Sequence, residues 1–198
     1  MKKSILIPIL AIALAFVILL GASFGLKGIT EKNAQDAHLE LMRTLLPGST
    51  EFTLEPYSGE DANIRSVHKA ENGFVIETVT YGYAGEITMF IGVSSDGAVT
   101  GLVVRDMSET FGLGAQALTD HVFLAQFLNI SGQAAIGTAE ADAFSGATGE
   151  STEAEVEVYV DAISGATVTS KAIVRCVNSA VAYVTGADIT SSATSWEG

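Results

Sequence analysis

Cysteine is almost absent: Cys176 is the only one in 198 residues. One thiol excludes an internal disulfide, a Cys-ligated iron–sulfur cluster and a thiolate zinc site. It falls on the apolar face of a helical pattern, which gives it a packing role. Histidine is scarce too, and His38, His68 and His121 are scattered without the spacing of metal ligands. No G-x-G-x-x-G opens a helix, which argues against a Rossmann domain. Positive charge is in short supply: 10 Lys and Arg stand against 23 Asp and Glu, a net charge of −13. Such a chain cannot neutralise a nucleic-acid backbone, and anionic lipid surfaces repel it.

What the chain does have begins with an apolar run. Lys2 and Lys3 precede an uncharged stretch from Ser4 to Leu26, long enough to cross ~30 Å of hydrocarbon as a helix. The rival reading is a cleaved secretory signal ending near Gly21-Ala22-Ser23; the length of the run and its continuation past those residues favour an uncleaved anchor. The lysine pair places the N-terminus in the cytoplasm and the rest of the chain outside it. Thr30 to Leu46 reads as a helix with Ala34, Ala37, Leu41 and Leu45 on one face, stopped by Pro47-Gly48.

Two hairpin signals follow. Asn72-Gly73 separates Ile64–Ala70 from Phe74–Tyr81, and Asp96-Gly97 separates Ile87–Ser94 from Val99–Arg105; both dipeptides suit turns that need positive φ. The pattern predicts an antiparallel meander. Ala115 to Asn129 reads as a helix with Leu118, Val122, Phe123, Phe127 and Leu128 as its core stripe, and Gly132 to Thr152 as a mobile surface excursion.

Near the C-terminus, Val156, Val158 and Val160 alternate with Glu155 and Glu157, the period of a strand. Ala172, Ile173, Cys176, Val177, Ala180, Val181 and Val184 then recur at helical spacing. Between them lies Asp161-Ala162-Ile163-Ser164-Gly165-Ala166-Thr167, followed by Val168-Thr169-Ser170. A strand-to-helix turn of small residues lets a ligand approach the backbone, and a helix start offers free N–H groups to an anion. The same residues also describe a plain capped turn, since Ser and Thr are favoured N-caps.

The longer pattern Asp-x-x-Ser-Gly-Ala-Thr-x-Thr-Ser resembles the flavinylation motif of the FMN-binding domains in the Rnf G subunit and the Nqr C subunit. Gly82-Tyr83-Ala84-Gly85-Glu86-Ile87 is similar to that family's Gly-Tyr-Gly-Gly-x-Ile segment, with Ala84 in place of a glycine. Ser108-Glu109-Thr110-Phe111-Gly112-Leu113-Gly114 is similar to its Glu-Thr-Pro-Gly-Leu-Gly loop, with Phe111 where proline is usual. The resemblance implies FMN joined to Thr167 by a phosphoester, transferred from FAD with release of AMP by a dedicated flavin transferase. It implies that Asp161, Ser164, Gly165 and Ala166 form the motif that enzyme reads, with Asp161 assisting. Contacts to the cofactor fall to Tyr83, Gly85, Glu109, Thr110, Gly112, Leu113, Gly114, Val168, Thr169 and Ser170. A second copy, Asp142 to Thr148, has Gly149 and Glu150 after it and no helix pattern, and reads as a decoy.

The implied protein is α+β: residues 1–28 a cytoplasmic tip and transmembrane anchor, 29–48 a membrane-proximal helix, 49–190 an FMN-binding domain with an antiparallel meander and flanking helices, and 191–198 a tail. Its implied role is electron relay in a membrane complex that passes electrons between ferredoxin and NAD and moves Na⁺ or H⁺, with the other membrane proteins of that complex as partners. A protein like the Nqr C subunit, a standalone extracytoplasmic flavin reductase and an anchored scaffold without cofactor are the alternatives. N-terminal sequencing of the protein taken from membranes should begin at or near Met1; a mature chain starting near Ala22 or Ser23 would replace the anchor with a cleaved signal.

Overall fold

The computed structural model describes residues 16, 21, 32–109, 114–137 and 156–187. The expected anchor from Ser4 to Leu26 lies outside these residues except at Phe16 and Gly21. Among the described residues no helix is long and apolar enough to cross a membrane. The chain divides into two units, Met1–Leu41 and Met42–Gly198, and all that follows concerns the second.

The meander forms as the turn dipeptides require. After a short strand β1 (Thr53–Glu55), strands β2 (Ile64–Ala70), β3 (Gly73–Tyr81), β4 (Glu86–Ser94) and β5 (Val99–Met107) make one antiparallel sheet in the order β1-β2-β3-β4-β5. Gly73 and Gly97 take φ of 150° and 90° at the two hairpin turns, a region open to glycine at no steric cost. β1 has no signal in the sequence: at three residues it is too short for an alternating pattern to be read.

Period-two alternation gives the sheet two buried faces. Ile76, Met89, Ile91 and Val93 enter the main core together with Ile173, Val177 and Val181 of a long helix, numbered α4 below. On the other face, Gly92 of β4 stands directly opposite Gly101 of β5. Residues 32–45 are helical (α1), and Leu45 at the end of that helix lies against this glycine pair. A Cβ at Gly92 would overlap the Leu45 carbonyl, and one at Gly101 would stand 3.1 Å from Leu45 Cα. The Thr100 hydroxyl donates to the same carbonyl at 2.5 Å. Met42, Leu45 and Leu46 are buried, whereas Ala34 and Ala37, expected on the same stripe, are exposed. This face also holds the buried carboxylate of Glu77. It accepts from Ser66 Oγ at 2.8 Å and from Arg105 at 2.9 Å, while the Arg105 guanidinium lies 5.3 Å from the centre of the Phe90 ring.

The single helix expected over Ala115–Asn129 is instead two, α2 (Gly114–Thr119) and α3 (His121–Ala125). Asp120 between them is extended, with φ −76° and ψ 106°, and its carboxylate accepts from the amides of Val122 and Phe123 at 2.8 and 3.0 Å. An N-cap aspartate therefore starts a second helix where the hydrophobic pattern alone runs through. The restart rotates the stripe: Phe123 and Phe127 are buried edge to face, 5.3 Å apart, but Val122 and Leu128 are 79% and 42% exposed. His121 is exposed, as expected.

The expected excursion from Gly132 begins with a strand, β6 (Gln133–Ile136), which pairs in parallel with β7 (Val156–Val160). Four residues of mixed pattern give no periodic signal; their edge is completed by a side chain. Asn178 of α4 (Thr167–Thr185) accepts from Ala134 N and donates to Ala134 O, both at 2.9 Å and both buried. The rest of the excursion lies outside the described residues. Helix α4 packs against β3, β4 and β6 and ends at Gly186, φ 72°, a left-handed C-cap. Cys176 on α4 is buried, and burial pushes its thiol up to about 12, the inert packing role expected of it.

Because the obstacle at Gly92 is backbone, a side chain there forces the end of α1 off the sheet. Gly92→Ala should destabilise the protein by about 1–3 kcal/mol, and Gly101→Ala, with more room, by less. Urea denaturation of both variants checks the order.

Candidate functional site

The turn between β7 and α4 is built by its own backbone. Gly165 takes φ 81°, and the Ala166 amide donates to the Ile163 carbonyl at 2.9 Å. The Ile163 amide in turn donates to Ser170 Oγ at 3.3 Å. Asp161 is held by an amide side chain: its N–H donates to Gln126 Oε1 at 2.8 Å, and Gln126 Nε2 donates back to its carbonyl at 3.4 Å. Gln126 escaped the sequence reading, since nothing at that position marks it out.

Helix α4 then starts without a side-chain cap. Its N-cap is Ala166, φ −126°, and the first helical bond runs from Ser170 N to Ala166 O at 2.8 Å. The amides of the first turn precede that bond and carry the positive end of the helix dipole. The plain capped turn is therefore not what forms: neither Ser164 nor Thr167 serves as the cap. Both are exposed, as are Asp161 and Gly165, while Ala166 is buried.

Three stretches far apart in sequence meet beside this turn at one carboxylate. Glu109 Oε1 accepts from the Ala84 amide at 3.3 Å, and Oε2 accepts from the Thr169 hydroxyl at 3.2 Å. Gly82 to Gly85 form a tight turn closed by Gly82 N donating to Gly85 O at 2.9 Å. A Cβ at Gly85 would stand 2.6 Å from Ser108 Cβ, so glycine there lets the 82–85 turn lie against the 108–109 segment. Arg175, two turns into α4, donates to the Tyr81 carbonyl at 2.9 Å; this second tie between helix and turn had no motif to announce it.

The sequence-derived site residues are thus partly assembled. Tyr83 is 74% exposed, Gly85 is half-buried, Gly114 is buried at the start of α2, and Val168 is half-buried. Thr169 and Ser170 are buried, and their hydroxyls are used inside the protein, on Glu109 and on the Ile163 amide. They do not face outward beside Thr167 as free donors to an anion. Thr110, Gly112 and Leu113 lie outside the described residues, as does the second motif copy, Asp142 to Thr148. Among the described residues no group of His, Cys, Asp and Glu could hold a metal ion.

Residues 82–182, running from the first of these turns through most of α4, match the FMN-binding domain family. The chain belongs to that family. The G subunit of the ion-translocating oxidoreductase complex of Methanosarcina acetivorans is 33% identical over 157 residues, covering 73% of this chain and 73% of that protein. The G subunit of the Na⁺-translocating ferredoxin:NAD⁺ oxidoreductase complex of Acetobacterium woodii is 36% identical over 110 residues, covering 55% of this chain and 47% of the relative. The chain thus spans about half the length of this second relative. Among solved structures, the C subunit of the Na⁺-translocating NADH-quinone reductase of Parabacteroides distasonis aligns with a TM-score of 0.46 at 22% identity, covering 72% of this chain and 79% of that one. The family match takes in all three stretches that meet at Glu109.

The FMN-binding domain holds its turn partly through the Ser170 hydroxyl. Ser170→Ala should cost about 1 kcal/mol of stability and raise amide hydrogen exchange at Ile163 several-fold; unchanged protection at Ile163 would remove Ser170 from the turn's support.

Proposed function

We propose that this chain is a G-type subunit of an ion-translocating ferredoxin:NAD⁺ oxidoreductase complex, and that it relays electrons through FMN carried on Thr167. The observation that carries the reading is Thr167 itself. It is an exposed hydroxyl at the uncapped start of a helix that is otherwise buried almost all round, within the family match. The two G-subunit relatives support the same role.

The residues present suit a phosphorylated flavin. Thr167 would hold the phosphate as an ester, and the first-turn amides of α4 would face it with the favourable end of the helix dipole. Asp161, Ser164, Gly165 and Ala166 would present the turn to a flavin transferase. Tyr83, Gly85 and Gly114 on neighbouring elements, with Thr110, Gly112 and Leu113 of the 110–113 stretch, would line the ring and ribityl chain. Bound flavin supplies transfer of one or two electrons, which suits a relay between single-electron and hydride carriers. The domain brings no cluster-ligating cysteines and no nicotinamide fingerprint, so electrons enter and leave through partner proteins of the complex. The run from Ser4 to Leu26 would anchor the chain in the membrane, with the lysine pair inside and the flavin domain outside. A covalent tether has a clear use there, since a dissociated flavin would be lost from the cell.

The test uses the full chain made together with a flavin transferase. Thr167→Ala should abolish covalent FMN, while Thr148→Ala, in the second motif copy, should keep it. Intact mass reads one FMN on the parent and on Thr148→Ala and none on Thr167→Ala. The reverse pattern would move the acceptor to Thr148, and two FMN groups on the parent would make both copies functional.

A further inference from the structure

The Glu109 carboxylate sits in a place that two glycines clear for it. A Cβ at Gly82 would overlap Oε1, and one at Gly114 would overlap Oε2 and stand 2.7 Å from the Thr169 hydroxyl. The carboxylate so seated joins two elements. One oxygen accepts from the Ala84 amide in the 82–85 turn and the other from Thr169 in the first turn of α4. Thr169 is fully buried, so its hydroxyl depends on an internal partner. Thr167, two residues earlier on the same helical turn, is exposed.

We propose that Glu109 is the positioning residue of the acceptor turn. By fixing Thr169 to the 82–85 turn it sets the rotation of the first turn of α4, and with it the direction in which the Thr167 hydroxyl is presented to the transferase. This rests on Thr167 being the acceptor. The role belongs to the geometry of the two oxygens. Glutamine can offer its carbonyl to the Ala84 amide and an N–H to the Thr169 oxygen, so it keeps both links without the charge. Alanine keeps neither. A methyl at Gly82 pushes the carboxylate out while leaving Glu109 in the chain, which separates the seat from the residue.

The experiment times FMN attachment by intact mass, with the full-length chain, purified flavin transferase and FAD, and circular dichroism to confirm that each variant is folded. Glu109→Ala and Thr169→Val should slow attachment tenfold or more, and Gly82→Ala should behave like them. Glu109→Gln and Thr169→Ser, which preserve the links, should stay within about threefold of the parent. Should Glu109→Ala fail to fold, Thr169→Val, which keeps the side-chain shape and removes the hydroxyl, decides the matter. Attachment at the parental rate in Glu109→Ala or Thr169→Val overturns the proposal. So does a Glu109→Gln variant as slow as Glu109→Ala, which would assign the effect to charge. A parent that takes no FMN, or a Thr167→Ala variant that still takes it, overturns the acceptor reading and this proposal with it.

Discussion

A helix buried on almost every side must find a partner for each polar group it carries, because an unpaired buried donor or acceptor costs about 1–3 kcal/mol. Helix α4 carries four such groups on its inward faces, and each is answered by a different part of the chain. Asn178 completes the edge of β6 at Ala134. Ser179 accepts from Asn63 Nδ2 at 3.1 Å, just before β2. Thr169 donates to Glu109, and Ser170 accepts from the Ile163 amide in the turn before the helix. Satisfying the helix therefore orders the small parallel sheet, the start of the meander, the segment after β5 and the acceptor turn. The site is a product of these demands more than of any single motif.

The meander supplies the rigid side of the arrangement. Its main face meets α4 through branched aliphatic side chains, while the opposite face trades side chains for closeness: facing glycines at 92 and 101 allow the Leu45 backbone to rest directly on the sheet. The strands that lead away from this contact end at Tyr81 and Met107, whose neighbours in sequence are the 82–85 turn and Ser108-Glu109. Both halves of the Glu109 contact thus extend from a sheet held on its two faces.

Legibility of this chain followed the physics of each signal. Strong local signals survived: the two Gly turns, the alternating strands they join, and the apolar spacing of α4, which holds through Ala172, Ile173, Cys176, Val177, Ala180 and Val181. The break at Asp120 was visible only as a capping residue inside a periodic stripe, and periodicity outweighed it. Strand β6 was illegible because Asn178, 44 residues away, completes its edge. The site was legible as motifs and not as geometry. The sequence singles out Glu109, Thr169 and Ser170 as polar residues beside a turn, but only the fold shows that they bond to the protein itself, leaving Thr167 as the outward hydroxyl.

The position of α4 in the chain also sets an order in time. Strands β2 to β5 pair with their neighbours in sequence, so their loops close locally and quickly. The contacts that finish the site span long separations: 60 residues between Glu109 and Thr169, and 116 between Asn63 and Ser179. The last of these groups lies near the C-terminal end. During synthesis a ribosome must therefore release nearly the whole chain before the acceptor turn has anything to rest against, and a transferase that recognises the docked turn acts only on molecules that have completed folding. Cofactor loading then doubles as a check on the finished domain.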